Sequence, residues 1–180
     1  QISFIKHSSL MITYDKKIIM IDPVSRYADF KTFPKADFIL VTHEHGDHLD
    51  NSAIDLLSKN ETMLVANEAS IKKTGKGKVV KNGETIKLSD KISVEAVPAY
   101  NTTPDNQKFH PQGRDNGYIL NIDGLKIYIA GDTEYYHEMK NIKNIDIAFL
   151  PINLPYTMSV DQAITAAKTI SPKVFYPYHF

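Results

Sequence analysis

The chain reads as an α/β protein with two β-sheets packed face to face and helices outside, and three observations lead there. Short apolar runs of strand length recur along all 180 residues. Helical spacing is confined to a few separate stretches. The two halves also repeat one plan, a β-hairpin and a buried strand ending in polar, ligand-type residues, followed by a helix and a further strand. A chain of this length can bury a sizeable core as one domain, so residues 1–180 are expected to form a single domain.

Strands are predicted at Ile2 to Ile5, Leu10 to Tyr14 and Lys17 to Asp22, the last two joined by a tight turn at Asp15-Lys16. Pro23 closes the third, since proline cannot continue a ladder. Phe38-Ile39-Leu40-Val41 is a continuous apolar run, expected to be a buried strand. Ala53, Ile54, Leu56 and Leu57 then fall at helical spacing within Ser52 to Lys59, with Asp50, Asn51 or Ser52 as the N-cap. Thr62 to Ala66 reads as a strand and Glu68 to Lys73 as a short helix. Lys78 to Val80 and Glu84 to Leu88 are predicted to pair through the Asn82-Gly83 turn signal, followed by a strand at Ile92 to Val97.

From Pro98 to Asn116 the pattern breaks into a long polar loop, a length that commonly signals function. Gly117 to Ile122, the turn Asp123-Gly124 and Leu125 to Ala130 form a hairpin that ends in Gly131-Asp132-Thr133. A helix near Glu134 to Lys140, a strand at Ile145 to Leu150, a helix at Val160 to Ile170 and a strand at Lys173 to Tyr176 complete the map.

Lys+Arg and Asp+Glu balance at 21 each, so no global field recruits nucleic acid or an anionic membrane. The lysines at 72, 73, 76, 78 and 81 read as a solvated loop and hairpin. No run approaches the roughly 18 apolar residues of a membrane span. With no cysteine, disulfides, thiolate nucleophiles and thiolate metal ligands are all excluded. The chain starts at Gln1, which is compatible with loss of an upstream segment, so cytoplasmic and exported locations both stay open. Phe180 directly after His179 is an odd place for a domain to finish.

The chemistry concentrates in His43-Glu44-His45-Gly46-Asp47-His48, a loop at the end of a buried strand. His43 and His45 are two residues apart and face the same way in an extended loop. Gly46 is expected to let the chain turn so that Asp47 and His48 approach from another side. Neutral imidazole and carboxylate are the ordinary non-thiolate ligands of zinc and also suit manganese or iron.

This cluster, Gly131-Asp132-Thr133 after a later strand and His179 after a last one together resemble the metallo-β-lactamase-fold hydrolase superfamily over nearly the whole chain. The resemblance implies a four-layer αββα sandwich of two mixed sheets. It implies His43 and His45 as ligands of a first metal, Asp47 and His48 of a second, Asp132 as the bridging carboxylate and His179 as the last ligand of the second. Asp22 matches an aspartate that supports the site from behind the ligands. The superfamily's further histidine on the first metal has no counterpart where Pro98-Ala99-Tyr100-Asn101 stands: Asn101 or Tyr100 occupies that place, and either His110 from further along the loop substitutes or the first metal is weakly held or missing.

His7-Ser8-Ser9, Asn116-Gly117-Tyr118 and Pro177-Tyr178-His179 look similar to the metal-dependent hydrolases related to ascorbate-6-phosphate lactonase. His7 is accordingly either a site residue from the first hairpin or a histidine satisfied at a strand end. Tyr156 and Tyr178 flank the expected active-site loops, whereas His137 reads as a surface residue.

The resemblance implies a hydrolase with two Zn2+, with Mn2+ or Fe as alternatives. Asp47 would hold the attacking water and pass its proton to the leaving group of an ester, lactone, amide or phosphodiester. A small polar or phosphorylated substrate is favoured, with no nucleic acid as partner. A single-metal, non-catalytic member of the fold and an iron-dependent redox member are the competing readings.

Overall fold

Two mixed sheets form, one in Gln1–Val80 and one in Lys81–Phe180, the two compact units into which residues 1–180 of the computed structural model divide. The first unit carries strands β1 (Ile2–Lys6), β2 (Ser9–Tyr14), β3 (Lys17–Ile21), β4 (Phe38–Val41), β5 (Met63–Ala66) and β6 (Lys78–Val79), paired in that order. β1, β2 and β3 run as an antiparallel meander. Its second turn places Asp15 and Lys16 both at positive φ, the backbone that matches the twist of a two-residue hairpin.

From β3 onward the pairing is parallel. Parallel neighbours need crossovers, and helices α1 (Asn51–Leu57) and α2 (Glu68–Thr74) lie in two of them. Asp50 caps α1 by accepting from the Ser52 amide at 2.8 Å. Every residue of β4 is buried, as its unbroken apolar run requires, and Met20, Ile39, Val41, Ile54, Leu57 and Leu64 lie in one core.

The second unit carries β7 (Thr85–Lys87), β8 (Ile92–Ala99), β9 (Asp115–Ile122), β10 (Leu125–Ile129), β11 (Ile147–Pro151) and β12 (Val174–Tyr178). Its order is β12-β11-β10-β9-β8-β7, with β7 to β10 antiparallel and β10 to β12 parallel. Helix α3 (Val160–Ile170) starts at a capping box between Ser159 and Gln162. Its Ala163, Ala166 and Ile170 share a core with Met139, Ile142 and Leu150.

The structure corrects the sequence reading in two places. Lys78–Val79 pairs with β5 while Thr85–Lys87 pairs with β8, so Asn82-Gly83 joins two different sheets and closes no hairpin. Asn82 Nδ2 donates to Val97 O, Asp115 O and Asn116 Oδ1, which ties this turn to the ends of β8 and β9. The lysines of that region are correspondingly not on a hairpin, and Lys72 and Lys73 lie in the last turn of α2. The helix expected near Glu134 to Lys140 is a short 3-10 turn, His137–Asn141, because the polar groups of Thr133 and Glu134 are engaged with the loop after β8. No helix is long and apolar enough to cross a membrane.

Candidate metal centre

The chemistry-bearing residues sit at the carboxyl ends of strands, where parallel neighbours place their loops on the same edge of a sheet. In the first unit, Asp22 follows β3 and Thr42-His43 follows β4. In the second, Asp132 follows β10, His179 follows β12 and His110 lies in the loop between β8 and β9. Three of the eight non-glycine residues at positive φ lie in these loops: His7, Asp22 and His179 adopt the left-handed conformation. Such backbone costs about 1–2 kcal/mol per residue and gathers at functional sites.

Asp22 organises the first set. Its Oδ1 accepts from the Thr42 amide and its Oδ2 from the Thr42 hydroxyl, each at 2.8 Å. Oδ2 also lies 2.8 Å from His48 Nδ1, so that nitrogen carries the proton and donates. The single hydroxyl hydrogen of Thr42 is committed to Asp22. Its oxygen, 3.1 Å from His43 Nδ1, therefore accepts from that ring. Both imidazoles then carry their lone pair on Nε2, the form a metal takes. Asp22, Thr42, His43 and His48 are all fully buried.

His45 O accepts from both the His48 and Leu49 amides, and those bonds shape the turn. Gly46 is not needed for it, contrary to the expectation: its φ is not positive, and an added Cβ would meet nothing within 4 Å. The His43 ring lies 4.6 Å from that of His45 and 4.0 Å from that of His48. His48 Nε2 is 3.8 Å from Asp47 Oδ2, and His7 Nε2 approaches the same oxygen at 3.4 Å. The first hairpin thus brings His7 to the Asp47 side chain, which keeps 30% of its surface exposed.

The second set centres on Asp132. His179 Nε2 lies 3.1 Å from its Oδ1, and His110 Nε2 lies 3.4 Å from its Oδ2. His110 Nδ1 contacts Asp115 Oδ2 at 3.1 Å, which repeats the Asp22–His48 arrangement and turns Nε2 toward Asp132. Arg114 holds Asp115 through Nε at 2.7 Å and Nη2 at 2.9 Å. An imidazole nitrogen and a carboxylate oxygen at this separation share either a proton or a cation, and a buried set of two such nitrogens around one carboxylate is a donor set that fits a divalent metal.

Of the two candidates for the missing histidine, it is His110 that the structure brings to Asp132. Asn101 is also buried, but its Nδ2 donates to Tyr156 O at 2.8 Å and Asn106 O at 3.2 Å, which makes it a brace between loops. Tyr178 Oη accepts from the Gly131 amide at 2.9 Å and so steadies the turn that presents Asp132. Tyr156 packs edge-on against Phe109 in the outer loops, and His137 is exposed.

Thr42, Asp115 and Glu134 were missed from sequence. The faint signal was their nearness in the chain to His43, His110 and Asp132, at one, five and two residues. A cavity of about 490 Å3 on the second unit, lined by Glu95, Ile119, Asn121, Lys126 and Glu138, has none of His110, Asp132 and His179 in its walls. Concavity alone points away from these candidate ligands.

Comparison with known proteins finds relatives over nearly the whole chain. The family model of a β-lactamase superfamily domain matches residues 1–179. A UPF0173 metal-dependent hydrolase of Nanoarchaeum equitans is 32% identical over 192 residues, covering 100% of this chain and 83% of the relative. A crystal structure from Parabacteroides distasonis, described as a metal-dependent hydrolase, is 63% identical with a TM-score of 0.98, covering 99% of this chain and 81% of that one. Igni18, a metallo hydrolase from Ignicoccus hospitalis, is 26% identical with a TM-score of 0.80, covering 99% and 82% respectively.

Proposed function

Since the chain belongs to the β-lactamase superfamily and, within it, to the UPF0173 metal-dependent hydrolases, we propose that it cleaves an ester, lactone, amide or phosphodiester bond with two divalent ions, zinc foremost. His43, His45, Asp47 and His48 of the first unit and His110, Asp132 and His179 of the second would hold the ions. One observation carries the reading. His43, His48 and His110 each have Nδ1 engaged by a hydroxyl or carboxylate, so all three present Nε2. Three surface histidines would have no reason to share one tautomer.

When bound, a divalent ion would supply an acidified water and a Lewis acid for the bond under attack. The chain's own residues do the rest. Asp47, partly exposed, is placed to take the proton of the attacking water and hand it to the leaving group. His7, 3.4 Å from the same carboxylate, orients it. Asp22 and Asp115 keep the imidazole tautomers through each turnover.

A small polar or phosphorylated ester or lactone is the favoured substrate. Arg26 supports this: its Nη2 donates to Tyr27 Oη at 2.8 Å, and the Tyr27 ring lies 5.4 Å from that of His7. A guanidinium steadied in that way can pair with a phosphate or carboxylate.

The deciding experiment combines metal analysis with a panel of esters, lactones and phosphodiesters. About two equivalents of metal per chain are expected. Asp47→Ala and Asp132→Ala are expected to abolish turnover while the circular dichroism spectrum stays that of the parent. Full activity after metal stripping would end the proposal.

A further inference from the structure

Glu134 is a carboxylate with 1% of its surface exposed and no cationic partner within its hydrogen-bonding set. Its Oε2 accepts from Thr102 N at 2.8 Å, Thr103 N at 2.6 Å and Thr102 Oγ1 at 3.0 Å, and its Oε1 accepts from Asn106 Nδ2 at 2.8 Å. All of these donors belong to the loop that runs from the end of β8 to His110. Loop amides have no ladder to satisfy them and must find partners elsewhere. Glu134 supplies what a neighbouring strand would otherwise provide.

The contacts extend on both sides of this carboxylate. Thr133 Oγ1 accepts from Tyr100 N at 3.1 Å and donates to Tyr100 O at 2.9 Å, while Glu134 N donates to the same carbonyl. Asn106, held by Glu134, accepts through its carbonyl from Asn101 Nδ2, and Asn101 N donates to His110 O at 2.8 Å. The far end of the loop is fixed by Arg114 Nη2 on Phe109 O at 2.7 Å. One short segment, Asp132-Thr133-Glu134, therefore carries a proposed metal ligand and also clamps the loop that delivers another.

We propose that Glu134 is a positioning residue that sets the place of His110 relative to Asp132 by gathering the amides of the 102–106 loop. This rests on the reading of His110 as a metal ligand. Four acceptor directions are needed at once, and an ionised carboxylate is the side chain that offers them without bringing a donor of its own.

The test uses the full chain with Glu134→Ala, His110→Ala and the double variant, read by amide hydrogen exchange and by Zn2+ affinity. In Glu134→Ala, exchange at residues 101–110 is expected to rise at least about tenfold with residues 1–80 unchanged, and Zn2+ affinity to fall about 10–100-fold. Because Glu134 acts through His110, the double variant should bind Zn2+ no more weakly than His110→Ala alone. Glu134→Gln, which keeps one acceptor oxygen but replaces the other with a donor amide, should restore only part of the protection.

Unchanged exchange in Glu134→Ala, or additive losses in the double variant, would overturn the assignment. If His110→Ala binds Zn2+ as tightly as the parent, the ligand reading fails and the exchange result alone decides on the clamp. Should Glu134→Ala not fold, Asn106→Ala removes a single donor, and a smaller local rise in exchange is then expected. No rise there would count against the proposal.

Discussion

Thr42 shows how much one hydroxyl can decide. It gives its hydrogen to Asp22 and takes one from His43, so a single oxygen links the carboxylate that orients His48 to the ring of His43. Thr42→Val keeps the shape and removes that link. The expected result is a 10–100-fold loss of Zn2+ affinity by competition titration, together with a fall in stability of about 1–3 kcal/mol from the orphaned partners. Equal affinity in the variant would mean the tautomers are set elsewhere. Arg26→Gln tests the substrate side: KM should rise about tenfold for a phosphorylated ester and stay level for its neutral analogue. The candidate ligands stood out because histidine and aspartate at such close spacing have few other uses. Thr42, Asp115 and Glu134 were not, because a residue that only orients another is ordinary in type, and its role depends on contacts 20, 5 and 31 residues away along the chain.

Elements place these residues, and two of them depend on close or charged contacts. Gly117 in β9 faces the end of β10, where an added Cβ would lie 2.8 Å from Ala130 O and 3.1 Å from Ile129 O. Both contacts are backbone, so Gly117→Ala must push β10 aside just before Asp132. A loss of about 1–3 kcal/mol in denaturant titration is expected, with reduced metal retention. Asp37, just before β4, holds Lys59 Nζ at 2.9 Å, Ile18 N at 2.9 Å and Lys17 Nζ at 3.1 Å. Burial alone would raise its pKa, but the bonds from Lys59, Ile18 and Lys17 outweigh it and hold the carboxyl below its usual 3.8. A carboxyl lowered on folding adds stability that is complete above the unfolded value and lost as pH falls through the folded one. Asp37→Asn should therefore lose about 1–3 kcal/mol at pH 7, and the gap to the parent should close below about pH 4 in urea titrations. Strand and helix positions were legible at this scale, since apolar periodicity and caps such as Asp50 and Ser159 are local. The partner of β6 was not: Asn82-Gly83 announces a reversal of the chain, and which sheet each strand then joins is settled by contacts such as those of Asn82 with Val97 and Asp115.

At the scale of the whole molecule, each unit repeats one scheme, an antiparallel meander feeding parallel strands whose carboxyl ends carry ligand-type side chains. The repetition was visible in sequence because both halves show a hairpin, a buried strand and then His or Asp. The scheme puts strained backbone at His7, Asp22 and His179 and buries several ionisable groups, all of which cost stability in the metal-free chain. An ion that binds the native state alone returns part of that cost by mass action, about 2.7 kcal/mol per site at one hundred times the dissociation constant. For a chain of this size each kcal/mol moves the melting temperature by roughly 2–4 °C. Saturating Zn2+ should therefore raise Tm by about 5–10 °C per site occupied, and chelation should reverse it. Asp132→Asn should flatten the response if Asp132 holds the ions. A Tm indifferent to Zn2+ in the parent protein would leave the strained, buried polar cluster without the ligand that its donor set implies.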